Sequence, residues 1–307
     1  VVLLLLTIGV LATAQKRYGL FLLLLFLFNP QPVKSEGNIL YQAESSYNLI
    51  KVVDQGDKLY LKLNHARWIQ SVKSKQDVMT GYYYDYLNIA PMLTKGRDIL
   101  ILGMAAGTSA LQFRDFFDDA VIDGVEIDPK VIDASYAYFN IPRDDPYLHV
   151  YADDARPFLR KSVKKYDIVE IYMYQGGSSI PFYIVTEEFF RLVYDHLADD
   201  GVLVMNIVDP TAADGRELVL NPIGVTIHTV FPSVYILPAG GNTILLATKL
   251  PMKKQALDHK LDLYIPGPLA TLATYGKEHL REFNEPGMVL TDNLAPIEHL
   301  TYKAMKR

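Results

Sequence analysis

RDILILGMAAGTSALQFRDFF, residues 97–117, reads as a short apolar strand, a turn of small residues and a helix. A run of four to eight apolar residues closed by glycine is the signature of a buried strand. The small residues of GMAAG (103–107) let backbone N–H groups and a helix N-terminus come close to a ligand. The alternation then repeats. AVIDGVEIDP (120–129) is a second strand and KVIDASYAYF (130–139) a second helix. LHVYADDARPFL (148–159) is a third strand and turn, and YDIVEIYMY (166–174) a fourth strand. TEEFFRLVYDHLADDG (186–201) is a helix ending at Gly201, and VLVMNIV (202–208) a fifth strand. Strands alternating with helices imply an α/β fold with a parallel-rich, doubly wound sheet. TIHTVFPSVYILPAGGNTILLAT (226–248) supplies further strands, and 249–307 reads as helices and loops.

Upstream, residues 39–72 are rich in β-branched and aromatic residues. DQGD (54–57) punctuates YNLIKVVDQGDKLYLKLN as a hairpin, and RWIQSV (67–72) continues it. DVMTGYYYDYLNIAPML (77–93) has helical spacing, with Thr80 or Gly81 near its start. The division expected is a small β domain over 39–90 and a Rossmann-like domain over 91–307.

The first 28 residues are different. VVLLLLTIGVLATA (1–14) and LFLLLLFLF (20–28) are apolar runs separated by QKRYG, and NPQPVKSEGN (29–38) is a linker. A spanning helix needs about 20 apolar residues, which neither run reaches alone. Three readings fit: the end of a longer membrane span with a second embedded run, a signal peptide with Lys16 and Arg17 as its basic part, or a buried hairpin. The first is preferred, and Lys16, Arg17 and Lys34 then put the catalytic domain on the cytoplasmic side.

Composition excludes several chemistries. A net charge of −5 leaves no basic excess for nucleic acid. The absence of cysteine removes disulfides, thiolate nucleophiles and zinc–thiolate sites. The seven histidines show no metal-ligand spacing, so no metal is expected, and there is no G-x-S-x-G elbow.

The residues that carry chemistry sit at strand ends. Gly103 and Gly107 bound the turn after the first strand, but Ala105 stands where a dinucleotide fingerprint needs glycine. Glu126 ends the second strand 23 residues after Gly103, where a carboxylate accepts both ribose hydroxyls. Asp153 and Asp154 follow the third strand, where one acid, Asp154 by preference, accepts the adenine amine. The plainer readings are a tight turn, a solvated acid and a helix cap. Together the three elements describe an adenosyl site without a pyrophosphate, which suggests S-adenosylmethionine or its decarboxylated form.

The chain resembles the spermidine synthase (polyamine aminopropyltransferase) family, in particular bacterial members fused to a membrane region. The matching stretches are YQAESSYNLIKV (41–52), LKLNHARWIQSV (61–72), TGYYYDYLNIAPML (80–93), ILGMAAGTSA (101–110), VEIDP (125–129), DDARPFL (153–159), IPFYIVTEEFF (180–190) and LTDNLAPIEHL (290–300). The resemblance implies a small β domain over a methyltransferase-like Rossmann domain, and a homodimer. It implies transfer of an aminopropyl group from decarboxylated S-adenosylmethionine to a small-molecule amine, with no permanently bound cofactor. It places Gln70 at the thioether end, Glu126 on ribose and Asp154 on adenine. Tyr84 and Asp85 fall on the amine channel, followed by Tyr174 and Gln175 beyond the fourth strand.

Two acids of that pattern are missing. Tyr172 stands where the family has the Asp that helps deprotonate the amine, and Ala106 where an Asp holds the aminopropyl cation. Glu170, two residues before Tyr172 and on the same strand face, is a substitute, as is Asp85. The outcomes left open are an altered acceptor, use of intact S-adenosylmethionine for methyl or side-arm transfer, and a non-catalytic nucleoside-binding membrane protein. A nicotinamide enzyme is disfavoured by Ala105.

Overall fold

The computed structural model describes residues 37–64, 69–174, 179–210 and 217–306. The apolar runs of 1–28, most of the linker, and Gln175 lie outside the described residues. Among the described residues no helix is long and apolar enough to cross a membrane.

Four antiparallel strands, in the order β1-β2-β3-β4, form the small sheet: β1 (Asn38–Glu44), β2 (Leu49–Gln55), β3 (Lys58–Leu63) and β4 (Ile69–Ser74). The hairpin read from DQGD is β2–β3, with Gln55 opposite Lys58. Gly56 supplies the positive φ that a two-residue turn needs at its first central position. Alternation on this sheet buries Ile50, Val52 and Leu61 against Ala105, Ala106, Val131 and Phe139, so the β domain lies directly over the glycine turn.

The large sheet has eight strands in the order β12-β10-β11-β9-β8-β5-β6-β7. Its parallel part is β5 (Asp98–Leu102), β6 (Val121–Glu126), β7 (Leu148–Ala152), β8 (Tyr166–Ile171) and β9 (Leu197–Ile207). β10 (Ser233–Ala239), β11 (Asn242–Thr248) and the two-residue β12 (Arg281–Glu282) extend it antiparallel. β5 is the switch point: the chain runs from it outward to β6 and β7, then returns to β8 on its other side. Ligands of open α/β sheets bind beyond the strand ends at such a point. Both faces of β5 are buried, Ile99 and Ile101 in one core and Leu100 and Leu102 in the other.

The helices are α1 (Tyr84–Leu87), α2 (Ile89–Leu93), α3 (Thr108–Phe116), α4 (Pro129–Tyr138), α5 (Ala155–Lys161), α6 (Glu187–His196), α7 (Leu220–His228), α8 (Lys254–Asp262), α9 (Ala270–His279) and α10 (Ile297–Met305). Three expectations change. The single helix expected from residue 80 is two short ones divided at Asn88. Pro91 has no N–H to give the carbonyl of Leu87, which ends the first helix there. Helix α6 stops at His196 rather than at Gly201, and Leu197 begins β9 opposite Tyr166. Asp199, Asp200 and Gly201 are poor helix formers and continue as strand. Thr226–His228, read as strand, completes α7. Its start is held by the remote Asp209 carboxylate, which accepts from the N–H groups of Val219 and Leu220. Hydrophobic periodicity cannot separate a short buried strand from a buried helix.

Candidate functional site

The turn after β5 is built for close approach. Gly103 has φ +84°, and a Cβ there would lie 2.1 Å from the carbonyl oxygen of Tyr172 at the end of β8. Gly107 has φ +79°, and its Cβ would meet Ile141 Cδ1 at 2.4 Å. Between them Ala105 holds φ +49°, a left-handed conformation uncommon for alanine. The five N–H groups of this turn all have partners. Those of Gly103 and Met104 reach the Val125 carbonyl, and that of Gly107 the Met104 carbonyl. Ala105 donates to Glu126 Oε2 and Ala106 to Ser71 Oγ, each at 2.9 Å. The turn therefore offers no free amides for a phosphate or carboxylate.

A cavity of about 340 Å³ opens beyond the turn, within the range for small-molecule sites. Gln70, Gly103, Ala105, Glu126, Asp153 and Asp154 line it, with Tyr172, Tyr174 and Tyr183. Among the described residues no lysine or arginine lines it. Glu126 is 8 % exposed, and burial raises its carboxyl from 4.5 to about 7 against the opposing hydrogen bonds from the N–H groups of Asp128 and Ala105. Asp154 caps α5, its Oδ1 accepting from the Arg156 N–H at 3.0 Å. Its Oδ2 accepts from the hydroxyl of Tyr183 at 3.0 Å and faces the cavity. Asp153 accepts from the Asp154 N–H and pairs with Lys161 at 3.1 Å.

The far end of the cavity is aromatic. The Tyr83 hydroxyl donates to that of Tyr172 at 2.5 Å, and Tyr172 donates to Gln70 Oε1 at 3.3 Å. Tyr174 donates to the Asn206 carbonyl at 2.7 Å and accepts from the Val208 N–H at 3.0 Å. Burial raises the phenols of Tyr83, Tyr172 and Tyr174 above the ordinary tyrosine value. All three are neutral at physiological pH, so none serves there as a ready base.

Of the residues singled out from sequence, Gln70, Gly103, Glu126, Asp153, Asp154, Tyr172 and Tyr174 come together around the cavity. Gly107 shapes the turn from behind as the residue before α3. Asp85 stands apart: its carboxylate accepts from Thr80 N–H and Oγ, the Gly81 N–H and Gln112 Nε2, which fastens the loop before α1. Tyr84 is packed behind Tyr172, with ring centroids 5.8 Å apart. Glu170 is buried behind the same wall. Ala106 is wholly buried under the small sheet. Two supports had no role assigned from sequence. Tyr183 orients Asp154, and Arg156 makes a bidentate pair with Asp292 while also donating to the Tyr183 carbonyl. Their signal was the stretches IPFYIV and LTDNLAP, whose chemistry emerges only once the fold joins them. Among the described residues no group of three or more histidine, aspartate or glutamate side chains is placed to hold a metal.

The strand order and the cavity at the switch point define a Rossmann-like α/β protein, roofed by a small β sheet. The spermine/spermidine synthase domain matches residues 81–237. A probable polyamine aminopropyl transferase of Bifidobacterium longum is 34% identical over 290 residues, covering 88% of this chain and 64% of that one. A polyamine aminopropyltransferase of Vibrio vulnificus is 26% identical over 257 residues, covering 79% and 83%. The spermidine synthase of Thermotoga maritima superposes with a TM-score of 0.63 at 18% identity, covering 81% and 84%, a likeness of fold alone. The chain belongs to the spermine/spermidine synthase family, and it spans 64% of the length of its Bifidobacterium relative.

Proposed function

We propose that this protein is an aminopropyl-type transferase that takes decarboxylated S-adenosylmethionine as co-substrate and a small amine as acceptor. The observation that carries this reading is the charge of the cavity. Its ionisable carboxyl groups are Glu126, Asp153 and Asp154, none of the described residues lining it is a lysine or arginine, and its turn amides are already bonded. A pyrophosphate would meet three carboxyl groups there and no cation among the described lining residues. The α-carboxylate of intact S-adenosylmethionine would likewise meet no cation among the described lining residues, whereas a decarboxylated donor carries only a sulfonium and an ammonium. Glu126 at the end of β6 suits ribose, Asp154 with Tyr183 suits adenine, and Gln70 and Tyr172 lie toward the sulfur. Membrane attachment through residues 1–28, with the catalytic domain cytoplasmic, and a homodimer belong to the same proposal.

The neutral tyrosines at the far end favour a second reading, a nucleoside-binding protein without turnover. Incubation with decarboxylated or intact S-adenosylmethionine and a polyamine mixture, with mass spectrometry of the products, separates the two. Methylthioadenosine and an aminopropylated amine from the decarboxylated donor support transfer. Nucleoside binding with no product supports the second reading, and S-adenosylhomocysteine from the intact donor shows a methyltransferase instead.

A further inference from the structure

We propose that the aromatic rings of Tyr172 and Tyr174 hold the cationic arm of the donor by cation–π contact, in the place where a carboxylate would otherwise pair with it. The inference rests on the transfer reading above and deepens it by naming the groups that recognise the donor's charge.

The order of the strands sets where that arm lies. β7, β6, β5 and β8 are successive neighbours in the large sheet. Asp154 follows β7, Glu126 ends β6, Gly103 follows β5 and Tyr172 follows β8, and all four line the cavity. A nucleoside with its base at Asp154 and its ribose at Glu126 spans the ends of β7 and β6. Its 5′ substituent then continues over Gly103, which has no side chain to block it, toward Tyr172 and Tyr174. In the decarboxylated donor that substituent carries the sulfonium and the terminal ammonium.

Among the described residues no carboxyl lines the cavity at the β8 end; Glu126, Asp153 and Asp154 all belong to β6 and β7. Asp85 is bonded to Thr80, Gly81 and Gln112, and Ala106 is wholly buried under the small sheet. The two tyrosine hydroxyls are also engaged. That of Tyr172 accepts from Tyr83 and donates to Gln70. That of Tyr174 bonds to the Asn206 carbonyl and the Val208 N–H, and neither Asn206 nor Val208 lines the cavity. What the pair offers a ligand is therefore its rings. Their centroids are 5.4 Å apart and their planes meet at 56°, so they form an open corner rather than a stack. The rings of Tyr83 and Tyr84 pack against Tyr172 at 5.7 and 5.8 Å, which fixes it in place. A cation within about 6 Å of a ring centroid is attracted to the ring face, most strongly where water is excluded, and Tyr172 is only 8 % exposed. A sulfonium has no N–H to donate, so a ring face suits it without a hydrogen-bond acceptor.

The test is calorimetric binding of two nucleosides to the wild type and to Tyr172→Phe, Tyr172→Leu, Tyr174→Phe and Tyr174→Leu. One is decarboxylated S-adenosylmethionine. The other is 5′-propylthio-5′-deoxyadenosine, whose arm has the same length and no charge. The wild type should prefer the charged nucleoside by roughly tenfold or more. The Phe variants keep the ring face and should hold that ratio to within about threefold, whereas each Leu variant should reduce it by roughly tenfold. The ratio separates charge recognition from general damage, because a disturbed fold weakens both ligands together. Progressively fluorinated phenylalanines at the Tyr172 position drain the ring face at nearly constant shape, and the preference should fall stepwise with them. Folded Leu variants that keep the wild-type ratio, or a ratio indifferent to fluorination, overturn the inference while leaving the transfer reading intact. A wild type that releases methylthioadenosine from the decarboxylated donor yet shows no preference for the charged nucleoside also overturns the inference alone. A wild type that leaves the decarboxylated donor unconsumed and turns over intact S-adenosylmethionine overturns both.

Discussion

The hydroxyl of Tyr172 lies 3.3 Å from Gln70 Oε1, so the end of the central sheet is fastened to β4 of the roof at the cavity wall. Tyr172→Phe and Gln70→Leu should each weaken methylthioadenosine binding several-fold. In a double-mutant cycle on stability the two should couple by about 1 kcal/mol. Strict additivity in the cycle would show that this contact does not join the two sheets.

Glu126→Ala should weaken nucleoside binding by more than tenfold without unfolding the protein. Binding should also depend on pH. The ribose hydroxyls need the ionised carboxylate, and burial holds Glu126 at about 7, so affinity should fall as pH drops below that value. Calorimetric titrations from pH 5.5 to 8.5 check this, and Glu126→Gln should be flat across the same range.

Stability should respond to Glu170 in a defined direction. Below pH 4.5 its carboxyl is protonated both folded and unfolded; between 4.5 and about 7 only the unfolded chain ionises it. The stabilisation present at low pH is therefore lost as pH rises through about 7. The loss is on the order of 3 kcal/mol. Glu170→Gln should melt several degrees above the wild type at pH 8 and close to it at pH 4.5. Equal melting temperatures at both pH values would show that the carboxyl is not held above its ordinary value.

Gly103→Ala should be among the most damaging single changes. The added methyl would meet the Tyr172 carbonyl oxygen at 2.1 Å at a φ of +84°, so the ends of β5 and β8 must part. A loss of roughly 3 kcal/mol in chemical denaturation is expected.

Arg156→Met should act at a distance. Arg156 is held by Asp292 and the Tyr183 carbonyl, and Tyr183 holds Asp154. Severing this brace should cost about 2 kcal/mol of stability and weaken nucleoside binding through Asp154. Arg156 also keeps the Asp292 carboxyl below its ordinary value. The wild type should therefore lose this contribution as pH falls through the acid range, and the variant should not.

Much of this was legible in the sequence because the signals were local. The apolar run before Gly103, the turn at DQGD and the acids at Glu126 and Asp154 each announce a strand end. The fold then gathers those ends at one switch point. What escaped depends on remote partners. Nothing near Leu220 shows that Asp209 will hold the start of α7. Asp85 is turned from the substrate side partly by the remote Gln112, which joins the nearby Thr80 and Gly81 in holding its carboxylate. The family pattern located the missing acid at Tyr172, and only the packing shows three neutral phenols standing there with Glu170 behind them.

The measurement that bears most directly on the account is identification of the nucleoside released from the decarboxylated donor in the presence of a polyamine. Methylthioadenosine together with an aminopropylated amine is the predicted result. Release of S-adenosylhomocysteine from intact S-adenosylmethionine, with the decarboxylated donor left unconsumed, would contradict it.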